Sequence, residues 1–490
     1  MASLDPRTPV LVGVGTASDH AEATELMTRA LQAAASDAGA PHILEAIDRV
    51  AVPQGSWGYP DPARLVADGV GATEARTHLV ELGIPQQSLI NEALSAILDG
   101  ASEVAAVVGG EAKRWARAPD AVETGQPGAA PDVIRRRPGT LLEPVEVATR
   151  LWDPVQQYAM IDNALRAADG LSIEAHRDEV AELWSRFNRV ARGNPQAAFP
   201  QPMTAEEIAR PSPDNRPLAF PYNKWHSTQW TVNQAAGLLF CSAQAARRFG
   251  ISPDRWIFPR VGIESSQALS LLRRERPDTW PAMGVLGRAA AARIGRPVAE
   301  AELIEVYSCF PAAVRVQQRE LDLDPLGTPT LTGGMAFAGG PFNNFVFQAT
   351  AAMAGALRAD PGSLGVVTTV SGLLTKPGLG AWSASPDGQG PLLGDLGAEA
   401  ARVTGSVEVI ETLEEYTGPA TVVTYTVTPG SSGAVAGTPA LPWSRTVVVA
   451  DADDGRRGVA ISDDPEVAAQ AVSSELIGRS VAVKAGAFAL

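Results

Sequence analysis

The sequence predicts an α/β fold built from two similar halves, on three observations. A glycine loop, an apolar-striped helix, an Asp/Gly stop and a valine-rich strand occur in that order twice, over 83–110 and again over 333–372. The composition, 45% hydrophobic and 19% charged, is that of an ordinary soluble α/β chain. Beyond residue 400 the pattern changes to period-two alternation, which sets a separate β-rich tail apart from the rest.

Each element follows in order. Val10-Leu11-Val12-Gly13-Val14-Gly15 is a short apolar strand running into a glycine turn. Glu22 to Gly39 has helical spacing, with Leu26, Ala30, Leu31 and Ala34 on one stripe. Leu79 to Leu82 predicts a strand that Gly83-Ile84-Pro85 ends. Ser88 to Leu98 reads as a helix, Gly100 stops it, and Val104 to Val108 is a buried strand closing on Gly109-Gly110. In the second half, Ile304 to Val306 is a strand. Pro311 to Leu321 is a helix with proline in its first turn, where the missing N–H matters least. The loop Gly333 to Pro341 leads into a helix from Asn343 to Leu357, and Gly365 to Val370 is the matching strand.

Between the halves, 116–142 is rich in Pro, Gly, Ala and Arg, and 193–222 is rich in proline. Helical patterns at 155–168 and 174–191 lie between them, so this segment reads as a mostly helical insertion over the core. In the tail, 403–410, 420–427 and 446–450 read as strands, 430–437 as a Gly/Ser loop, and 464–474 as a helix. That set predicts a small OB-like β-barrel. The expected domains are 1–118, 119–230, 231–398 and 399–490.

Composition bounds the function. A length of 490 residues allows about three domain-sized units and a large core. The net charge of −15 argues against nucleic acid or an anionic membrane surface as the main partner. The longest apolar runs fall short of the roughly 20 residues that span a bilayer. Met1 to Asp5 shows neither a basic nor an apolar leader pattern, so a cytoplasmic protein with two free thiols is expected. No residue pattern suggests a metal site.

Six segments carry a resemblance when taken together. They are Gly109-Gly110-Glu111; Pro221-Tyr222-Asn223-Lys224; Val232 to Ala236 with Cys241-Ser242; Trp256-Ile257-Phe258-Pro259; Tyr307-Ser308-Cys309-Phe310-Pro311; and the glycine loop Thr332 to Asn344. With these the chain resembles the thiolase superfamily, and in particular sterol-carrier-type thiolase-like proteins with an additional C-terminal domain. The resemblance implies a five-layer αβαβα core over residues 8–395. It also implies an active site where loops and helix N-termini of the two halves meet. The ligand it implies is coenzyme A or acyl-CoA, with no covalently bound cofactor.

Against the working parts of a thiolase this sequence departs everywhere. The nucleophile loop reads Gly83-Ile84-Pro85-Gln86-Gln87-Ser88, without a thiol. The Gly-His-Pro loop reads Gly339-Gly340-Pro341, the late cysteine loop reads Val370-Ser371-Gly372, and Tyr307 stands where sterol-carrier-type thiolases have histidine. All five histidines lie at or before His226. Claisen chemistry through a cysteinyl thioester is therefore not expected.

The candidate catalytic residues are Tyr307, Cys309, His226, Gly339 and Gly340. Tyr307 is a phenol able to hydrogen-bond a thioester oxygen or move a proton, or else a structural residue ending a strand. Cys309 precedes a helix whose dipole favours a thiolate, or it packs as a small buried residue. Cys241, in an apolar run, reads as core. The amides of Gly339 and Gly340 can bind an oxyanion. His226 faces the acyl pocket or makes a structural hydrogen bond. Lys224, Lys376, Asn343 and Asn344 are candidate coenzyme contacts, as are Arg135 to Arg137; the asparagines can instead cap the next helix. Three functions follow. The first is an acyl-CoA-binding enzyme working on C–C bonds without a nucleophilic cysteine, as retro-aldolases of β-hydroxyacyl-CoA do. The second is a non-catalytic module holding acyl-CoA or a protein partner, since related aldolases work with a separate OB-fold partner. The third, a Cys309 hydrolase, needs His226 within reach. Thiolase cores pair through a strand edge, so a homodimer, or a monomer if the tail blocks that edge, is expected.

Overall fold

The computed structural model describes residues 4–137, 139–405, 410–429 and 443–490. Its first half opens with β1 (Pro9–Ala17), β2 (Arg49–Pro53), β3 (Arg76–Val80), β4 (Val104–Ala112) and β5 (Val133–Arg135). The insertion adds the short pair β6 (Pro217–Ala219) and β7 (Tyr222–Asn223), and β8 follows at Asn233–Ser242. The first sheet runs in the order β1-β8-β4-β2-β3-β5. The second half contributes β9 (Phe258–Glu264), β10 (Leu303–Glu305), β11 (Leu364–Ser371), β12 (Lys376–Ser383) and β13 (Leu392–Asp395), in the order β10-β11-β12-β9-β13.

Burial explains why the central strands are apolar without alternation. Every residue of β4, β8 and β12 is buried, because each sheet carries helices on both faces. Helices Gln86–Leu98 and Phe345–Ala359 pack between the sheets. Helices Ala23–Asp37 and Pro62–Gly69 cover the outside of the first sheet, and Pro281–Ile294 and Pro311–Glu320 the outside of the second. This is the five-layer αβαβα core.

Two boundaries of the sequence reading shift. Strand β8, assigned above to the second half at 231–398, lies between β1 and β4 in the first sheet, antiparallel to both. The first half therefore reclaims the chain after the insertion. Strand β5, assigned to the insertion at 119–230, extends that sheet by pairing parallel to β3, with Asp132 Oδ2 accepting from the Thr77 amide at 2.8 Å. The insertion carries the expected helices at Pro154–Ala168 and Ile173–Ala191.

The tail is a closed five-stranded barrel of β14 (Gly418–Pro429), β15 (Trp443–Ala452), β16 (Arg457–Ser462), β17 (Ser480–Lys484) and β18 (Ala487–Ala489). Its order, β14-β15-β16-β18-β17, closes through β14 and β17, and helix Pro465–Ala471 lies along the chain between β16 and β17. This is an OB-like arrangement. Of the strand expected over 403–410, Val403 to Gly405 lie instead in the helix Gly397–Gly405, which buries Ala400 and Thr404. Residues 406–409 lie outside the described residues, as does the expected loop over 430–437.

The barrel docks on the insertion through polar contacts. Asn163 Nδ2 bridges the Phe220 and Tyr425 carbonyls at 3.2 and 2.9 Å, and Thr424 Oγ1 donates to the Met160 carbonyl at 2.6 Å. Arg166 pairs bidentately with Glu475. Among the described residues, no helix is long and apolar enough to cross a membrane.

Candidate active site

The segment Val306 to Phe310 runs from β10 to the helix Pro311–Glu320. The Tyr307 amide donates to Thr368 Oγ1 at 2.9 Å and its carbonyl accepts from Gln317 Nε2 at 2.9 Å. These two bonds fix the backbone so that the side chains of Tyr307 and Cys309 reach one cavity of about 600 Å³. The other walls come from the insertion (Val155, Tyr158), the first half (Leu82, Gly83, Arg137), the glycine loop (Phe342, Asn343) and the hairpin Val370 to Leu373. Volume and mostly apolar lining suit a small-molecule site.

Tyr158, on the helix Pro154–Ala168, is the residue sequence reasoning missed. Its ring stacks on Phe310 at 4.6 Å, and its hydroxyl interacts electrostatically with the Cys309 sulfur. Burial pushes both phenols, Tyr158 and Tyr307, well above the usual tyrosine range; the amide of Gln86 partly offsets this at Tyr307. Burial also pushes the Cys309 thiol up to about 12, against a small opposing pull from the Tyr158 hydroxyl. All three groups are thus protonated at neutral pH, able to donate hydrogen bonds and poorly suited to nucleophilic attack or proton abstraction.

At the N-terminus of helix Gln86–Leu98, where a thiolase carries its cysteine, this chain buries amides. Gln86 Oε1 accepts from the Val346 amide at 2.8 Å, and the Ser88 hydroxyl is held by Glu264. Burial raises the Glu264 carboxyl to about 7.

The remaining predicted residues sort by position. Asn343 lines the cavity, and its Nδ2 donates to the Gln54 carbonyl at 3.2 Å. Asn344 starts the helix Phe345–Ala359 but makes no side-chain cap; its amide is buried against Gly109. Gly339 and Gly340 are not among the lining residues. The Gly340 amide donates to the Gln229 carbonyl at 3.1 Å. A β-carbon at 339 would fall 2.3 Å from Gln234 Oε1, and one at 340 would fall 2.1 Å from Thr228 Cγ2. His226 is buried behind the site; its Nδ1 accepts from the Asn223 amide at 3.0 Å, and burial lowers it to about 4. Cys309 and His226 do not meet on the cavity wall, which removes the geometric basis of a cysteine hydrolase.

Lys224 places Nζ 4.6 Å from the Trp225 ring centroid. Lys376 is buried, donates from Nζ to the Gly83 carbonyl at 2.7 Å, and is lowered by that burial. Of the three arginines, Arg137 lines the cavity, Arg135 pairs with Glu92 and Glu264, and Arg136 pairs with Glu81. Both cysteines are free and buried.

No protein-family model matches this sequence, and no curated protein matches it. Solved structures do. A monomeric SCP2-thiolase-like protein type 1 from Mycobacterium smegmatis is 27% identical, with each chain covered over 100% of its length and a TM-score of 0.83. The Ltp2-ChsH2(DUF35) aldolase is 17% identical over 78% of this chain and 99% of that one, with a TM-score of 0.59. Human mitochondrial 3-ketoacyl-CoA thiolase in complex with CoA is 18% identical over 78% and 99%, with a TM-score of 0.56. At those lower identities the likeness is one of fold. The two stacked halves, the cavity between them and the full-length match together make this chain a member of the thiolase superfamily, a sterol-carrier-type thiolase-like protein with a C-terminal β-barrel.

Proposed function

We propose that this chain binds an acyl thioester of coenzyme A in the 600 Å³ cavity and polarises its carbonyl without forming a covalent acyl-enzyme. The observation that carries this reading is the convergence of Tyr158, Tyr307 and Cys309, all protonated, on one largely apolar cavity. Two phenols donating to a thioester oxygen stabilise an enolate, the species formed when the adjacent C–C bond is made or broken. Acyl transfer through sulfur has no comparable support. Arg137 and Asn343 on the wall are the polar groups best placed for the coenzyme arm, while Lys376 and Asn344 are committed to the interior. The CoA complex of human thiolase supports the ligand class by analogy of fold only. The free cysteines suit a reducing, cytoplasmic setting.

Calorimetry with a panel of acyl-CoA esters, read alongside intact-mass spectrometry, tests this. Acyl-CoA is expected to bind and to leave no adduct on either cysteine. Tyr307→Phe is expected to weaken binding by about 1 kcal/mol, the worth of one hydrogen bond. Absence of binding at every chain length sinks the reading. Binding without turnover by the parent makes the chain a holding module rather than an enzyme.

We also infer a monomer. Strand β5, from the same chain, occupies the β3 edge, and at three residues it is itself too short to recruit a partner strand readily. Light scattering is expected to give 51.2 kDa; a species of twice that mass contradicts the inference.

A further inference from the structure

The turn Gly372-Leu373-Leu374 joins β11 to β12, and Gly372 and Leu373 belong to the cavity wall. All three residues are left-handed, with φ of 63°, 59° and 59°. Glycine adopts that conformation freely, but two successive leucines hold it only where their surroundings impose it.

Arg274 imposes it. Its Nη2 donates to the Leu373 and Leu374 carbonyls, both at 2.9 Å, and its Nε donates to the Leu269 carbonyl at 3.2 Å. The guanidinium is buried, so these charge-assisted bonds act away from competing water. Arg274 is anchored in turn from the barrel. Arg457 on β16 is also buried; its Nη1 donates to the Arg274 carbonyl and its Nη2 to the Glu275 carbonyl at 3.5 Å. Asp451 on β15 orients Arg457 through bonds of 2.6 and 3.1 Å. The Ile410 amide adds a bond to the Arg273 carbonyl at 3.2 Å. A second cavity wall depends on the barrel too, since Thr424 and Tyr425 bond Met160 and Asn163 on the helix that carries Tyr158.

We propose that Arg274 and Arg457 are positioning residues for the acyl site, and that the fused barrel serves to hold the cavity turn Gly372–Leu374 in its left-handed form. The effect on ligand rests on the acyl-thioester reading above; the effect on the turn does not.

Hydrogen–deuterium exchange and calorimetry with decanoyl-CoA on the full-length protein test the two parts separately. In Arg457→Ala, amide exchange over 372–376 is expected to rise about tenfold, with β1, β4 and β8 unchanged. Decanoyl-CoA affinity is expected to fall about tenfold, and Arg457→Lys, which keeps a donor for the Arg274 carbonyl, recovers most of both. Should Arg457→Ala unfold the barrel, Asp451→Asn leaves the guanidinium present but unoriented and is expected to raise exchange over the same peptide. Unchanged exchange over 372–376 in a variant whose barrel stays folded overturns the proposal, as does equal affinity of parent and variant for decanoyl-CoA. Faster exchange in the variant, with no binding by either protein, upholds the positioning role and removes the acyl-thioester reading instead.

Discussion

Alkylation of Cys309 by iodoacetamide at pH 8 is expected to run about a thousandfold slower than that of an unstructured cysteine. The thiolate is the reacting species, and burial holds the Cys309 thiol near 12. Roughly one molecule in ten thousand carries the thiolate at pH 8, against about one in four for a free thiol of ordinary pKa. Because the raised value favours the neutral form, reactivity is low throughout the neutral range and climbs about tenfold for each pH unit toward 12. Cys309 is buried in the cavity wall, so restricted access slows the reagent as well, and the pH slope separates protonation from access. Peptide mass spectrometry separates Cys309 from Cys241, which lies in the core of β8. A Cys309 that reacts at the free-thiol rate, or that accumulates an acyl group able to turn over, defeats the non-covalent reading.

The same residues show how far the sequence could be read. Tyr307 and Cys309 stood out in the sequence because Tyr307-Ser308-Cys309-Phe310-Pro311, between a strand and a proline-started helix, resembles a thiolase active-site loop. The halves were legible because their helices carry regular apolar stripes. Strand β8 was misassigned because a strand buried on both faces is apolar throughout and carries no mark of which sheet receives it. Strand β5 escaped notice for a related reason: three residues in a Pro- and Arg-rich stretch have no periodicity to detect. The alternation over 403–410 suggested a strand, but Val403 to Gly405 belong to the helix Gly397–Gly405, and there tertiary setting overrides β-propensity.

Tyr158 was hidden differently. An aromatic residue on an insertion helix ordinarily means packing, and only the fold brings that helix against Phe310 and Cys309. Its sequence signal, a tyrosine three residues after Val155 on the helix face that meets the cavity, is indistinguishable from a core stripe. Arg274 and Arg457 left no signal at all, since their roles depend on carbonyls far away in sequence. Fold-level resemblance located the site, while the protonation state of its groups came only from burial.

Gly340→His, which writes the thiolase histidine back into the glycine loop, is expected to destabilise the protein by about 3 kcal/mol and to create no acyltransferase. The reason is steric. A β-carbon at this position would lie 2.1 Å from Thr228 Cγ2 and within 3.4 Å of Met335, whereas real contacts of this kind are essentially never below 3.0 Å. Thr228 cannot simply turn away, because its amide and hydroxyl both hold the Cys309 carbonyl, at 3.0 and 2.9 Å. Thr228→Ser keeps both of those bonds and removes only the obstructing methyl. The double variant Gly340→His/Thr228→Ser should therefore recover about half of the loss, a coupling that urea denaturation of the four proteins measures directly. A Gly340→His protein as stable as the parent would show the loop to be pliant and its space available. If the loss appears with the expected coupling, the missing imidazole reflects a rebuilt wall: Thr228 and Met335 occupy the room a general base would need, and the same threonine ties that wall to the segment presenting Tyr307 and Cys309. Restoring thiolase chemistry would then require repacking the wall and placing a thiol at the start of helix Gln86–Leu98, two changes that no single substitution supplies.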